Sequence, residues 1–233
     1  MDAFLFENER LDDLQLNNLK LIQNTKGFCF GVDAVFLSDF AAEGMTMGDK
    51  SIIDLCTGNG VIPVLLSAKT KAERICGVEI QPEVASLAQR NAEYNGLTDK
   101  IEIICGNLKD APSVFGHASF DALTCNPPYM AVGGGLINPA DTKAVARHEI
   151  SCNLEDIIIC AKKLLRFGGR MFMVHRPSRL ADIICCMRTH GIEPKRMKFV
   201  YPSKNKNANL VLIEGMLGGK TQITAEPGIV ACE

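Results

Sequence analysis

The sequence predicts an α/β fold, a seven-stranded, mostly parallel sheet with helices on both faces. Three observations predict it. From residue 51 onward, short apolar runs alternate with segments of helical period, and strands alternating with helices pair in parallel through crossovers. Several of those runs stop at or just before one polar residue, namely Asp54, Glu79 and Asn107. The first run leads through the turn Thr57-Gly58-Asn59-Gly60 straight into a helical segment. In open sheets of this kind ligands sit at the carboxyl ends of the strands.

The elements follow in order. Ser51–Leu55 reads as a strand and Val61–Lys69 as a helix. Arg74–Ile80 is a second strand. Pro82 stands at a first helical turn and Gly96 after the cap of a helix over Glu83–Asn95. Ile101–Cys105 and Phe120–Cys125 are short apolar strands. Leu154–Leu165 is a helix with Asp156 in its first turn and Lys162, Lys163 and Arg166 near its end, as the helix dipole favours. Gly168-Gly169 is expected to end it. Arg170–His175 is a fifth strand, followed by a helix over Arg179–His190 with Ser178 as N-cap. The closing strands, near Lys195–Val200 and Asn209–Gly215, have no helix between them, which predicts an antiparallel hairpin at one edge. Residues 1–50 are expected to form an extension covering the ligand site, and 51–233 the main domain. The long stretch 130–150 carries Gly133-Gly134-Gly135 and reads as a lid or substrate loop.

The chain has 233 residues, 47% of them hydrophobic and 22% charged, ordinary for a globular domain. No apolar stretch approaches the roughly 18 residues of a membrane span, and the N-terminus lacks the pattern of a secretory signal. A cytoplasmic protein is expected. Of its ten cysteines, Cys56, Cys76, Cys105 and Cys125 fall in or beside strands and Cys160, Cys185 and Cys186 in helices, with no C-x-x-C or zinc-type spacing, so reduced core thiols are expected and no metal. The net charge of −2 hides an asymmetry: residues 1–150 carry 12 basic and 20 acidic side chains, residues 151–220 carry 13 and 5. A basic C-terminal third is a candidate phosphate-facing surface, including Lys195, Arg196, Lys198, Lys204 and Lys206; an ordinary solvated face is the other reading.

Two features carry chemistry. Glu79 at the end of the second strand is placed to accept bonds from both hydroxyls of a ribose. NAD is a poor fit, because Pro63 occupies the third small position of the dinucleotide fingerprint. Asp54, at the first strand's end, suits a cationic amine better than a pyrophosphate. S-adenosylmethionine has the amine and lacks the pyrophosphate. The second feature is Asn126-Pro127-Pro128-Tyr129. Its prolines fix their own φ and offer no N–H, so the Pro127 carbonyl and the Asn126 side-chain oxygen form a rigid pair of acceptors beside an aromatic plate. That suits the exocyclic amino group of adenine or the amide of glutamine; a proline-rich structural turn is the third reading.

Asp54–Gly60, Gly77-Val78-Glu79-Ile80, Asn107-Leu108 and Asn126–Tyr129 together resemble the ordered motifs of class I S-adenosylmethionine-dependent methyltransferases that modify amino nitrogens. The segments Ile22-Gln23-Asn24 with Gly27–Leu37, Ala146-Arg147-His148-Glu149 and Val174-His175-Arg176-Pro177 resemble the bacterial tRNA1(Val) adenine-37 N6-methyltransferases. The resemblance implies a Rossmann-like class I methyltransferase fold. It implies S-adenosylmethionine as methyl donor, S-adenosylhomocysteine as product and tRNA as acceptor, in a monomer or homodimer. Carried over residue by residue, it assigns cofactor contacts to Phe30, Asp33, Asp54, Thr57, Gly58, Gly60, Glu79, Ile80, Asn107, Leu108 and Asn126. Catalysis falls to Asn126, Pro127, Pro128 and Tyr129, and substrate contacts to Arg147, His148, His175, Arg176, Lys195, Arg196 and Lys198. Two positions depart from the pattern: Cys56 stands where glycine is common, and Asn107 where aspartate is. Protein glutamine N5-methyltransferases share Asn-Pro-Pro-Tyr but carry a helical domain before the catalytic one, for which 50 residues leave little room. A non-catalytic RNA-binding protein on the same fold is a further alternative.

Overall fold

The computed structural model describes residues 5–27, 29–128 and 152–231. The chain opens with an antiparallel hairpin, β1 (Glu9–Asp13) and β2 (Lys20–Asn24), and a helix, α1 (Val32–Gly44). The alternating body follows: β3 (Ser51–Leu55), α2 (Val61–Lys69), β4 (Arg74–Glu79), α3 (Pro82–Tyr94), β5 (Ile101–Cys105), the short α4 (Ala111–Phe115) and β6 (Phe120–Cys125). Next come α5 (Leu154–Leu164), β7 (Leu165–His175), α6 (Leu180–Thr189), β8 (Ile192–Tyr201) and β9 (Leu210–Leu217), then two-residue strands β10 (Thr224–Ala225) and β11 (Ile229–Val230).

The main sheet runs β10-β8-β9-β7-β6-β3-β4-β5, with β11 also on β8. All seven expected strands are present. β9 lies antiparallel between β7 and β8, and β10 and β11 extend the outer edge in parallel. Chain order reverses at β3, which has β4 on one side and β6 on the other. The crevice at the ends of β3 and β6 is therefore the topological switch point.

Alternating residues feed two cores. Ile52, Phe172 and Val174 face α1, α2 and α3 with Leu37, Phe40 and Leu66. Ile53, Leu123, Met171 and Met173 face α5 and α6 with Ile157, Ile183 and Met187. All nine cysteines among the described residues are unpaired thiols. No helix among the described residues is long and apolar enough to cross a membrane.

Three boundaries differ from expectation. α5 ends at Leu164, and Gly168-Gly169 falls inside β7. There the pairing of Phe120 and Ala122 jumps from Leu165 to Arg170, with Gly168 at φ +81°. The glycines therefore serve a bulge within the strand rather than a helix stop. Ser178 lies in a 3₁₀ turn, Pro177–Arg179, and Arg179 is the N-cap of α6.

The N-terminal hairpin is joined to α3 by side chains acting as a strand edge. Asn91 Oδ1 accepts the Ile22 N–H at 2.6 Å and its Nδ2 donates to the Ile22 carbonyl at 3.1 Å. One turn on, Asn95 makes the same pair of bonds to Lys20, at 2.9 and 2.7 Å. Residues four apart on a helix share a face, and residues two apart on a strand share an edge direction. The two amides thus satisfy backbone groups that would otherwise be left open. Arg90 pairs with Glu9 and lies over the Phe6 ring, fastening the other end.

Candidate active site

The carboxyl ends of β3, β4, β5, β6 and β7 meet at one edge of the sheet. A narrow, partly open cleft lies there, lined by Cys56, Val78, Glu79, Ile80, Gly106, Asn107, Leu108 and Cys152. The floor is the turn after β3. Gly58 and Gly60 take φ of +58° and +83°. A Cβ on Gly60 would stand 3.1 Å from Ala88 Cβ, so glycine here lets α3 pack against the turn.

Glu79 closes the turn. It is 2% exposed, and its two oxygens accept the N–H groups of Gly58 and Gln81, both at 3.0 Å. The carboxylate is thereby held at the cleft wall with fixed orientation. Ile80 and Leu108 supply apolar walls on either side.

Asp54 is not where the expectation put it. It lies below the turn, 0% exposed, and its oxygens accept the hydroxyls of Thr57 and Thr124, each at 2.6 Å. The reason is the register that sets Asp54 opposite Thr124 on β6. Burial pushes its carboxyl up to about 7. Asp54 ties the two central strands to the turn rather than facing the cleft, and Thr57 spends its hydroxyl on the same task. Asn107, half-buried, lines the cleft while its Oδ1 accepts the Lys109 N–H at 3.0 Å, capping a 3₁₀ turn.

Cys56 sits at φ +57°, a conformation that favours glycine. Its free thiol neighbours those of Cys125 and Cys152, and all three are held above the ordinary thiol range. The hydrogen-bonding neighbour Cys125 leads for Cys56, burial leads for Cys125, and Cys56 leads for Cys152.

The end of β6 delivers Asn126, half-buried, and Pro127, buried. Asn126 Nδ2 donates to Asp33 Oδ2 at 3.1 Å. A carboxylate accepts only, so this bond assigns the amide: nitrogen toward Asp33, Oδ1 at the other end. Asp33 is placed by the first turn of α1, an element absent from the sequence expectation. Phe30 donates its N–H to the buried Gln23 side chain at 2.9 Å and packs its ring against the core under α1. Gln23, which lies in one of the resembling segments but had no role assigned to it, thus holds the backbone at Phe30.

His175 ends β7 beside β6. It is 8% exposed, and its Nδ1 accepts the Arg176 N–H at 2.8 Å. Burial, assisted by Arg179, lowers its pKa to about 4. At neutral pH it is an uncharged imidazole with its hydrogen on Nε2.

The basic residues of β8 are elsewhere. Arg196 bonds Glu214 and the Phe40 carbonyl at 2.7 Å and Glu226 at 3.1 Å. Lys198 pairs with Glu43 and Glu226, both at 3.1 Å. Arg170 completes the cluster on Glu214. Lys195 Nζ donates to the Lys220 carbonyl at 2.8 Å. The expectation that Arg196 and Lys198 face substrate is corrected: strand alternation turns both toward α1, where carboxylates hold them. Tyr129, Arg147 and His148 lie outside the described residues. Among the described residues no cluster of His, Cys, Asp or Glu is arranged to hold a metal ion.

Sheet order, switch-point cleft and acidic residue at the second parallel strand define a class I, S-adenosylmethionine-dependent methyltransferase. The chain belongs to the methyltransferase small-domain family, whose pattern matches residues 32–184. It is 30% identical over 187 residues to a tRNA1(Val) (adenine(37)-N6)-methyltransferase of Porphyromonas gingivalis, covering 79% of this chain and 72% of the relative. Among solved structures, it resembles a predicted O-methyltransferase of Agrobacterium tumefaciens with a TM-score of 0.67 at 21% identity, over 85% of this chain and 86% of that one. It also resembles a geranyl diphosphate C-methyltransferase of Streptomyces coelicolor, solved with S-adenosyl-L-homocysteine, with a TM-score of 0.59 at 17% identity over 80% of each chain.

Proposed function

We propose that this chain methylates the exocyclic N6 of an adenine in tRNA, the adenine at position 37 of a valine tRNA being the first candidate. The observation that carries this reading is the Asn126 amide, set by Asp33 at a rigid strand end beside the cleft. The P. gingivalis relative, which carries that activity in its name, supports the choice of base and RNA.

S-adenosylmethionine supplies an electrophilic methyl group on a sulfonium sulfur and leaves as S-adenosylhomocysteine. Glu79 would hold its ribose hydroxyls, with Ile80 and Leu108 flanking its adenine and the Gly58–Gly60 turn beneath its methionine end. The acceptor N6 is a weak nucleophile because its lone pair is delocalised into the ring. Asn126 Oδ1 and the Pro127 carbonyl accept its two hydrogens and turn the lone pair toward the methyl carbon. This contributes positioning and electrostatic stabilisation rather than strong-base catalysis. The surplus proton leaves N6 for water after the transfer. Tyr129 stacks on the flipped base, worth about 1–3 kcal/mol by analogy with base–aromatic stacking.

Asn126→Ala tests the assignment. Calorimetric cofactor affinity should stay within a few-fold of wild type while methyl transfer to tRNA is lost. Near-normal turnover by the variant would remove Asn126 from the mechanism.

A further inference from the structure

The basic C-terminal third divides into two populations. Arg170, Arg196 and Lys198 are occupied by Glu214, Glu226 and Glu43 inside the fold. Lys204 and Lys206 are exposed and make no ion pair among the described residues. They sit on the segment 202–209, which joins β8 to β9. No carboxylate occurs between Glu193 and Glu214, so the charge of this loop is wholly positive.

The sheet places that loop at the catalytic edge. β9 leaves it at Leu210, and Val211 pairs with His175 on β7. On the other side of β7, Met173 pairs with Cys125, one residue before Asn126. The loop is therefore level with the Asn126–Pro127 end of β6. Arg176 Nη1 bonds the Asn209 carbonyl at 3.2 Å and ties the loop to the end of β7. Asn209 N–H bonds the Val200 carbonyl at 3.0 Å, and Lys206 N–H the Ser203 carbonyl at 3.1 Å. The lysines ride on a fastened turn. β9 and β8 lie two and three strands from β6, which at about 4.8 Å per strand is roughly 10–14 Å. A stacked nucleic-acid strand covers that span in about three or four nucleotides at 3.4 Å each.

We propose that the β8–β9 loop, through Lys204 and Lys206, grips the RNA backbone a few nucleotides from the methylated base. This rests on the reading of the chain as a tRNA methyltransferase. It makes the loop, rather than the basic face of β8, the phosphate-contacting surface next to the site.

The test measures tRNA affinity by fluorescence anisotropy across about 50–200 mM salt, the range over which phosphate contacts reveal themselves. It uses wild type, the double variant Lys204→Ala/Lys206→Ala, and a control, Lys162→Ala/Lys163→Ala. The control removes equal charge from an open groove at the opposite end of the sheet. Losing two phosphate contacts makes the log–log salt slope shallower by about 1.4–1.8. The loss of affinity across that fourfold salt range then shrinks roughly ninefold for the loop variant. Calorimetric cofactor affinity and turnover at saturating tRNA should be unchanged. If wild type binds and methylates tRNA but the loop variant keeps the wild-type slope, the inference is overturned and the function stands. An equal change in the control would reduce the effect to net charge and also overturn it. A wild type that neither binds nor methylates RNA removes both.

Discussion

Asp33→Ala takes from Asn126 the carboxylate that sets its amide, 3.1 Å from Nδ2. A hydrogen bond to a charged group contributes about 1.5–3 kcal/mol. Without it the amide can rotate, and an inverted amide presents two hydrogens where the acceptor oxygen is needed. At 1.36 kcal/mol per tenfold, the loss corresponds to a fall of about 10- to 150-fold in kcat. Asp33 also lies in the first turn of α1, so the variant should lose up to about 1 kcal/mol of stability through the helix dipole. That loss is read separately, as a Tm shift. Asp33→Asn keeps the shape and a neutral acceptor, and should fall between wild type and alanine. Single-turnover transfer to tRNA gives the chemical step, and calorimetry gives the cofactor affinity. An Asp33→Ala enzyme with kcat within about twofold of wild type would refute the orienting role, whatever its cofactor affinity.

Three further outcomes follow from the same geometry. Cys56→Gly relieves a left-handed φ that costs about 1 kcal/mol in a non-glycine residue and should raise Tm by about 2–4 °C; an unchanged or lower Tm would mean that the thiol contacts to Cys125 and Cys152 outweigh the strain. Asp54 titrates near 7 in the fold against 3.8 as its ordinary value. The folded chain keeps a proton that the unfolded chain releases, so this group favours the fold most below pH 4 and loses that contribution as pH rises through 7. Asp54→Asn should therefore gain on wild type by up to about 1.4 kcal/mol per pH unit between pH 4 and 7; urea melts at several pH values showing a constant gap would contradict it. Glu214→Gln leaves Arg170 and Arg196 without their shared buried carboxylate and should destabilise by about 3 kcal/mol, seen as a lower urea midpoint at unchanged slope.

The sequence made the alternating body readable because the strands β3 to β6 and the second half of β7 are short apolar runs, and α3 and α5 carry their own start or end signals; the short α4 between β5 and β6 was not read. It also made Glu79 and Asn126 readable, since both fall where a run ends. α1 was not readable. Leu37, Phe40 and Ala41 are buried, but apolar residues are spread around the helix, so no one-sided stripe marks it. The Asn91 and Asn95 contacts to β2 join residues 69 and 75 apart in sequence, and nothing local announces them. Asp54 looked like a ligand group because its hydroxyl partner Thr124 is 70 residues away. The basic face of β8 looked like a phosphate surface because Glu43, Glu214 and Glu226 come to it from three separate segments. Charge counts see composition, whereas only the fold shows which charges are already matched.

The most direct test of adenine N6 as the acceptor is a methyl-transfer reaction on total tRNA from a strain lacking the enzyme. Isotopically labelled S-adenosylmethionine is the donor, and the tRNA is digested to nucleosides for mass spectrometry. Label in N6-methyladenosine, mapped to one adenine of one tRNA, is the predicted result. Label absent from tRNA and recovered on a protein glutamine would contradict it.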